Sequence, residues 1–381
     1  MSKKKFKTLC VHEGEIKDIQ FKGSTSPLFM STSYAFDDVD IKQYPRYFNT
    51  PNQRALVKKI SSLEYAETGL IFSSGMAAIS TSLLSNLNSG DHLIVQGDLY
   101  GGTRNFIKNE FPKYNIEYSF TKDVKNESFQ KEIKKNTKGI FIETPSNPLL
   151  KIVDLKKIGL IAKSNNLWSM IDNTFASPVN QNPILFGIDI VIHSATKYLG
   201  GHSDICAGVV LGKKRIINKI FESAKNLGGN LSDYTVWLLE RSIKTLYLRV
   251  RAQNNNAIKL AEFLKSHSCI DKVYYPGLKD HPDYELAKGQ MKGFGGMLTF
   301  DLNKKIKVKK FLNSLMIIKP SMSLAGVEST VLSPKLTSHA LLTDIERKEQ
   351  GINDQMIRFS SGIESFRDLK NDLSQAIKKS L

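Results

Sequence analysis

Five short apolar runs, His92–Gln96, Gly139–Glu143, Leu167–Asp172, Asp189–His193 and Gly208–Leu211, alternate with stretches of helical periodicity. No other feature constrains the fold as tightly. Continuous apolar strands joined by helices build a mostly parallel, helix-covered sheet, the α/β class. Parallel neighbours then deliver their carboxyl ends to one crevice, so residues just beyond two strands can face the same ligand. At 381 residues and 41% apolar, the chain can bury a sizeable core and form two domains.

The alternation stops near residue 240. A helical stretch from about Tyr234 to Ser266 leads into strands at Lys272–Tyr275, Gly296–Asp301 and Met356–Ser360, then a final helix from about Arg367. That pattern predicts a smaller C-terminal α+β domain. The first fifty residues are polar, rich in Ser, Thr, Phe and Tyr, and lack a long amphipathic period, so they read as an arm. After Pro51 a helix follows with Leu56, Val57, Ile60 and Leu63 on one face. The expected division is an arm over 1–55, a large domain over 56–244 and a small domain over 245–381.

Several function classes are disfavoured. No apolar run approaches the roughly 20 residues that span a bilayer. The basic segment Met1–Cys10 is not followed by the apolar stretch of a signal peptide. Cys10, Cys206 and Cys269 are too few and too scattered for a disulfide framework or a metal site, so a reducing cytoplasm and no metal are expected. A formal charge of +17 raises a nucleic-acid binder as a rival. Its lysines, however, are dispersed over stretches such as Lys131–Lys138 and Lys304–Lys310, with no aromatic-interleaved, helix-turn-helix or zinc-finger pattern. The charge reads as surface composition with some attraction for anionic substrates, and no nucleic-acid or membrane partner is expected.

Chemistry gathers where the strands end. The run Asp189–His193 is followed by Ser194-Ala-Thr196-Lys197, two hydroxyls and then an amine, and the preceding run ends in Asp172-Asn-Thr174. Pyridoxal phosphate needs such a set: an amine for a Schiff base, an acid for the pyridinium nitrogen and hydroxyls for the phosphate. Ser73-Ser-Gly75-Met76-Ala-Ala78 lies between a strand and a helix, where open N–H groups and a positive dipole end suit a phosphate, although an ordinary helix start has the same composition. In Asp98-Leu-Tyr100-Gly-Gly-Thr103 the tyrosine could stack on a pyridine ring. Asn147, held between prolines in Thr144-Pro-Ser-Asn-Pro148, could donate to the cofactor or to a carboxylate, or simply form a turn. Arg358, in the last strand, suits bidentate binding of an α-carboxylate, or a structural ion pair.

Together these segments resemble the cysteine and methionine metabolism family of pyridoxal-phosphate enzymes, the trans-sulfuration group of fold type I, from about Thr8 to the C-terminus. The resemblance implies Lys197 as the Schiff-base lysine, Asp172 as the pyridinium partner and Tyr100 as the stacking ring and a possible base. It implies Gly75, Met76, Ser194 and Thr196 around the phosphate, and Arg358, Ser323 and Asn147 around the substrate carboxylate. Tyr44-Pro-Arg46 resembles an element that reaches the partner subunit's phosphate site. That implies a dimer with shared sites, usually paired into a homotetramer.

The chain departs from the family pattern in places. Asn49-Thr-Pro51 stands for Asn-Pro-Thr, Ser323-Leu-Ala-Gly326 for Ser-Leu-Gly-Gly, and Ser242 for a common glycine. Gly102 stands where methionine γ-lyases carry a cysteine, and Met322 where cystathionine γ-lyases and γ-synthases often carry a glutamate. The resemblance thus implies a carbon–sulfur lyase acting on cystathionine or a related sulfur amino acid by β- or γ-elimination. The alternatives it leaves are a cystathionine γ-synthase or O-acylhomoserine sulfhydrylase and, further off, a methionine γ-lyase.

Overall fold

The computed structural model describes residues 4–337, 340 and 343–381. A seven-stranded sheet comprises β1 (Thr68–Phe72), β2 (His92–Val95), β3 (Glu117–Phe120), β4 (Thr137–Glu143), β5 (Trp168–Asp172), β6 (Ile190–Ser194) and β7 (Gly208–Gly212), in the order β1-β7-β6-β5-β4-β2-β3. Every pairing from β6 across to β3 is parallel, whereas β7 runs antiparallel to both β6 and β1. All five apolar runs are strands of this sheet. Successive side chains alternate between two apolar clusters: Ile140, Ile142, Ile171, Val191 and Val209 pack on one face, and Phe141, Met170, Ile190, Ile192 and Val210 on the other. With period-two side chains and both faces covered, a strand must be apolar at every position. Each fully buried side chain of this kind contributes about 1.5–3 kcal/mol.

A five-stranded sheet follows, made of β8 (Ile270–Tyr274), β9 (Met297–Leu302), β10 (Lys319–Pro320), β11 (Thr330–Leu332) and β12 (Met356–Ser360), in the order β10-β11-β12-β9-β8. Leu298, Phe300 and Leu302 of β9 and Ile357 and Phe359 of β12 share a cluster with Ala257, Leu260 and Leu264 of the helix Leu246–Lys265 and with Leu369 and Leu373 of the helix Phe366–Ser380. Strand alternation therefore turns Arg358, between Ile357 and Phe359, to the opposite face.

Some details depart from the sequence pattern. The stretch from Tyr234 to Ser266 is two helices, Asp233–Ile243 and Leu246–Lys265, broken at Lys244 and Thr245. The N-terminal segment carries a short helix, Phe6–His12, tied down by the buried Lys59, whose Nζ donates to Cys10 O and Val11 O at 3.2 and 3.0 Å. β3, β10 and β11 lack the apolar signature because they are half-exposed or only two to three residues long. Among the described residues no helix is long and apolar enough to cross a membrane.

Candidate active site

A cavity of about 540 Å³ opens at the carboxyl ends of β4, β5 and β6 and is lined also by Ser323 and Arg358 of the C-terminal region. Of the residues expected to form a site, Gly75, Met76, Tyr100, Asn147, Asp172, Ser194, Thr196, Lys197, Ser323 and Arg358 all line it.

Beyond β6 the chain turns tightly, with Lys197 N donating to Ser194 O at 3.0 Å, and the lysine enters the cavity. Its Nζ lies 3.4 Å from Ser323 Oγ. Burial, and then the positive charge of Arg358, push the ammonium pKa down. Asp172, the last residue of β5, is buried, and its Oδ1 accepts from Thr174 N at 3.0 Å and from Thr174 Oγ1 at 2.5 Å. Burial raises its pKa, while those bonds and the neighbouring His193 and Lys197 oppose the rise. Thr174 Oγ1 also accepts from Ser194 N at 2.8 Å, so one hydroxyl ties the end of β5 to the end of β6.

The helix Gly75–Asn86 starts against Ser194. A Cβ at Gly75 would sit 2.8 Å from Ser194 Cβ and 3.0 Å from its Cα, so only glycine permits this approach. Ser74 caps the helix: its Oγ accepts from Ala77 N and its carbonyl from Ala78 N. The N–H groups of Gly75 and Met76 have no partner among the described residues. Thr196 Oγ1 is fixed by Ala207, accepting from its N at 3.0 Å and donating to its O at 3.2 Å. Tyr100 begins the helix Gly101–Glu110, and its ring occupies the space a side chain at Gly102 would need, 2.5 Å from the position of such a Cβ.

Arg358, 4% exposed, donates from Nη1 to Asn147 Oδ1 at 3.0 Å and from Nη2 to Ser323 O at 3.2 Å. No carboxylate bonds the guanidinium directly among the described residues, and burial lowers its pKa to about 10. Tyr44 and Arg46 stand apart. Arg46 lies over the Tyr44 and Tyr47 rings and donates to Lys225 O at 2.5 Å, and neither residue lines the cavity.

Glu143 escaped the sequence reading. It ends β4 as Asp172 ends β5, and the two are register partners. That position at a strand's carboxyl end is the signal that could have found it. Burial, and then the Asp172 charge, push its carboxyl well above the usual range. Thr174 and Cys206 also line the cavity without having been singled out.

The arrangement fits pyridoxal phosphate on its own chemistry. It offers one amine with a depressed pKa, a buried carboxyl for a ring nitrogen, a helix start at Gly75 with two open N–H groups for an anion, and a guanidinium left for a second anion.

The comparisons with known proteins agree. Residues 7–378 match the family described as Cys/Met metabolism PLP-dependent enzyme. The chain is 41% identical to a cystathionine beta-lyase of Lactococcus lactis subsp. cremoris over 98% of its length and 99% of the relative's, and 41% identical, with the same shares, to a cystathionine gamma-lyase of Bacillus subtilis. A crystal structure of cystathionine gamma-lyase from Lactobacillus plantarum, complexed with L-serine, superposes with a TM-score of 0.95 at 38% identity over 99% of each chain. The fold is that of a pyridoxal-phosphate enzyme. The chain belongs to the Cys/Met metabolism family of these enzymes, and its cofactor is pyridoxal phosphate.

Proposed function

We propose that the chain is a carbon–sulfur lyase that cleaves cystathionine or a closely related thioether amino acid. The observation that carries this reading is Lys197 and Arg358 lining one cavity, both in contact with Ser323, an amine for the cofactor beside a guanidinium for an amino-acid carboxylate. Relatives at 41% identity are named both beta- and gamma-lyases. Met322, on the cavity wall, is apolar where γ-lyases and γ-synthases often carry a glutamate, and so resembles β-lyases more. A γ-synthase is the second reading, since a plant relative at 38% identity carries that name.

In this reading Lys197 would hold the cofactor covalently and, as a free amine, would move protons as general base and acid, a role suited by its lowered pKa. Bound pyridoxal phosphate supplies an electron sink for the negative charge that develops at the substrate's α-carbon. Asp172 keeps the ring nitrogen protonated, and Tyr100 covers the ring. Gly75 and Met76 N–H groups, with Ser194 and Thr196, hold the phosphate. Arg358 takes the substrate carboxylate through two parallel N–H bonds, with Asn147 and Ser323 setting its orientation.

Tyr44 and Arg46 complete the site of a neighbouring subunit, and the arm over residues 1–55 makes that contact. The arm's exposed apolar side chains, Ile19, Phe21, Met30 and Phe36 among them, support this. The remaining division, 56–244 and 245–381, follows the two sheets, and the assembly is a cytoplasmic homotetramer. A product assay tests the activity. L-cystathionine alone should yield homocysteine with pyruvate. Cysteine with 2-oxobutyrate would mean a γ-lyase, and cystathionine made from an O-acylhomoserine and cysteine would mean a synthase.

A further inference from the structure

Tyr100, Asn147 and Arg358, used separately above, are joined by a residue with no part in that scheme. Glu143 is 4% exposed, and each of its carboxyl oxygens takes one backbone N–H: Oε2 that of Tyr100 at 2.8 Å, Oε1 that of Asn147 at 3.0 Å. Asn147 Oδ1 in turn accepts from Arg358 Nη1. A continuous hydrogen-bonded chain therefore runs from the guanidinium, through Asn147 and Glu143, to the backbone of the residue that carries the ring. At its centre the Glu143 backbone is held still, paired in register with Asp172 on one side and donating its N–H to Gln96 Oε1 at 3.0 Å on the other.

We propose that Glu143 is a positioning residue that couples carboxylate binding at Arg358 to the placement of the Tyr100 ring. The inference rests on the reading of the cavity as the cofactor and substrate site. A carboxylate bound by Arg358 shares Nη1 with Asn147 Oδ1, one N–H to each, so its arrival changes the restraint on Asn147. Because β4 is fixed, the change passes through the Glu143 side chain. A carboxyl can serve both N–H groups, one per oxygen. A glutamine offers a single acceptor oxygen and turns a donor toward the other N–H. The Asn147 bond is buried, so an N–H displaced there is costly to leave unpaired.

Coupling between two ligands is reciprocal, and this separates a positioning role from a purely structural one. The probe is acetate, a small carboxylate, added to the holoenzyme, with its binding verified by competitive inhibition. The dissociation constant of pyridoxal phosphate is then measured with and without saturating acetate. Acetate should change this constant by about five-fold or more in the wild type and by less than about two-fold in Glu143→Gln. Asn147→Ala, which cuts the same chain nearer Arg358, should lose the effect too and serves if Glu143→Gln does not fold. An acetate effect of wild-type size in either variant, or none in the wild type, overturns the proposal. A wild-type protein that takes up no pyridoxal phosphate would instead overturn the reading of the cavity itself.

Discussion

Glu143 and Asp172 stand side by side in register at the ends of β4 and β5, two buried carboxyls at the head of one cavity. Like charges so placed oppose each other's ionisation, and burial penalises both. Both pKa values are raised, that of Glu143 well above its ordinary value of 4.5. The folded protein therefore keeps protons here that the unfolded chain has released. This contribution to stability is fully present below the unfolded values and is lost as pH rises through the folded ones.

Glu143→Gln cannot ionise and escapes that loss. Its melting temperature relative to the wild type should move in the variant's favour between about pH 5 and about pH 8. Lost hydrogen bonds shift both ends of the series equally, so the trend is diagnostic. A difference independent of pH would contradict the raised pKa.

Arg358→Ala should weaken carboxylate analogues by about 2–5 kcal/mol, because a bidentate charged pair in a partly dry pocket is lost. Inhibition constants for an unreactive amino-acid analogue measure this. An unchanged constant would reassign Arg358 to structural support of Asn147 and Ser323.

Gly75→Ala should destabilise the protein by about 1–3 kcal/mol and loosen cofactor binding, since the new methyl meets Ser194 Cα, a backbone atom that cannot swing away. Thermal melting and equilibrium dialysis of pyridoxal phosphate provide the two readouts. Wild-type values in both would mean that the helix start and β6 separate at little cost.

Arg46→Ala and Lys197→Ala should each be inactive, yet regain activity when mixed under subunit exchange. If each site draws Lys197 from one chain and Arg46 from the other, a mixed dimer has one site with both lesions and one with neither. No recovery, with exchange confirmed, would place Arg46 outside the neighbour's site.

The parallel sheet was legible because two-sided burial makes its central strands apolar throughout. The cavity was legible because strand ends carry its chemistry: Asp172 and Lys197 announce themselves by what precedes them. Glu143 was hidden, since its role lies in accepting backbone N–H groups from residues that only the fold brings round, and spacing does not encode that. The orientation of Arg358 follows from alternation along β12, but its bond to Asn147, 211 residues away in sequence, is a tertiary fact. β10 and β11 are too short for periodicity to speak.

The central claim is that Lys197 is the residue that holds the cofactor, and peptide mapping after borohydride reduction of the holoenzyme tests it most directly. The yellow colour should be lost on reduction, and the pyridoxyl group should be found on the peptide containing Lys197. Lys197→Ala should carry no covalent label while keeping its fold. A pyridoxyl group on any other lysine, or a covalently labelled Lys197→Ala, would contradict the account.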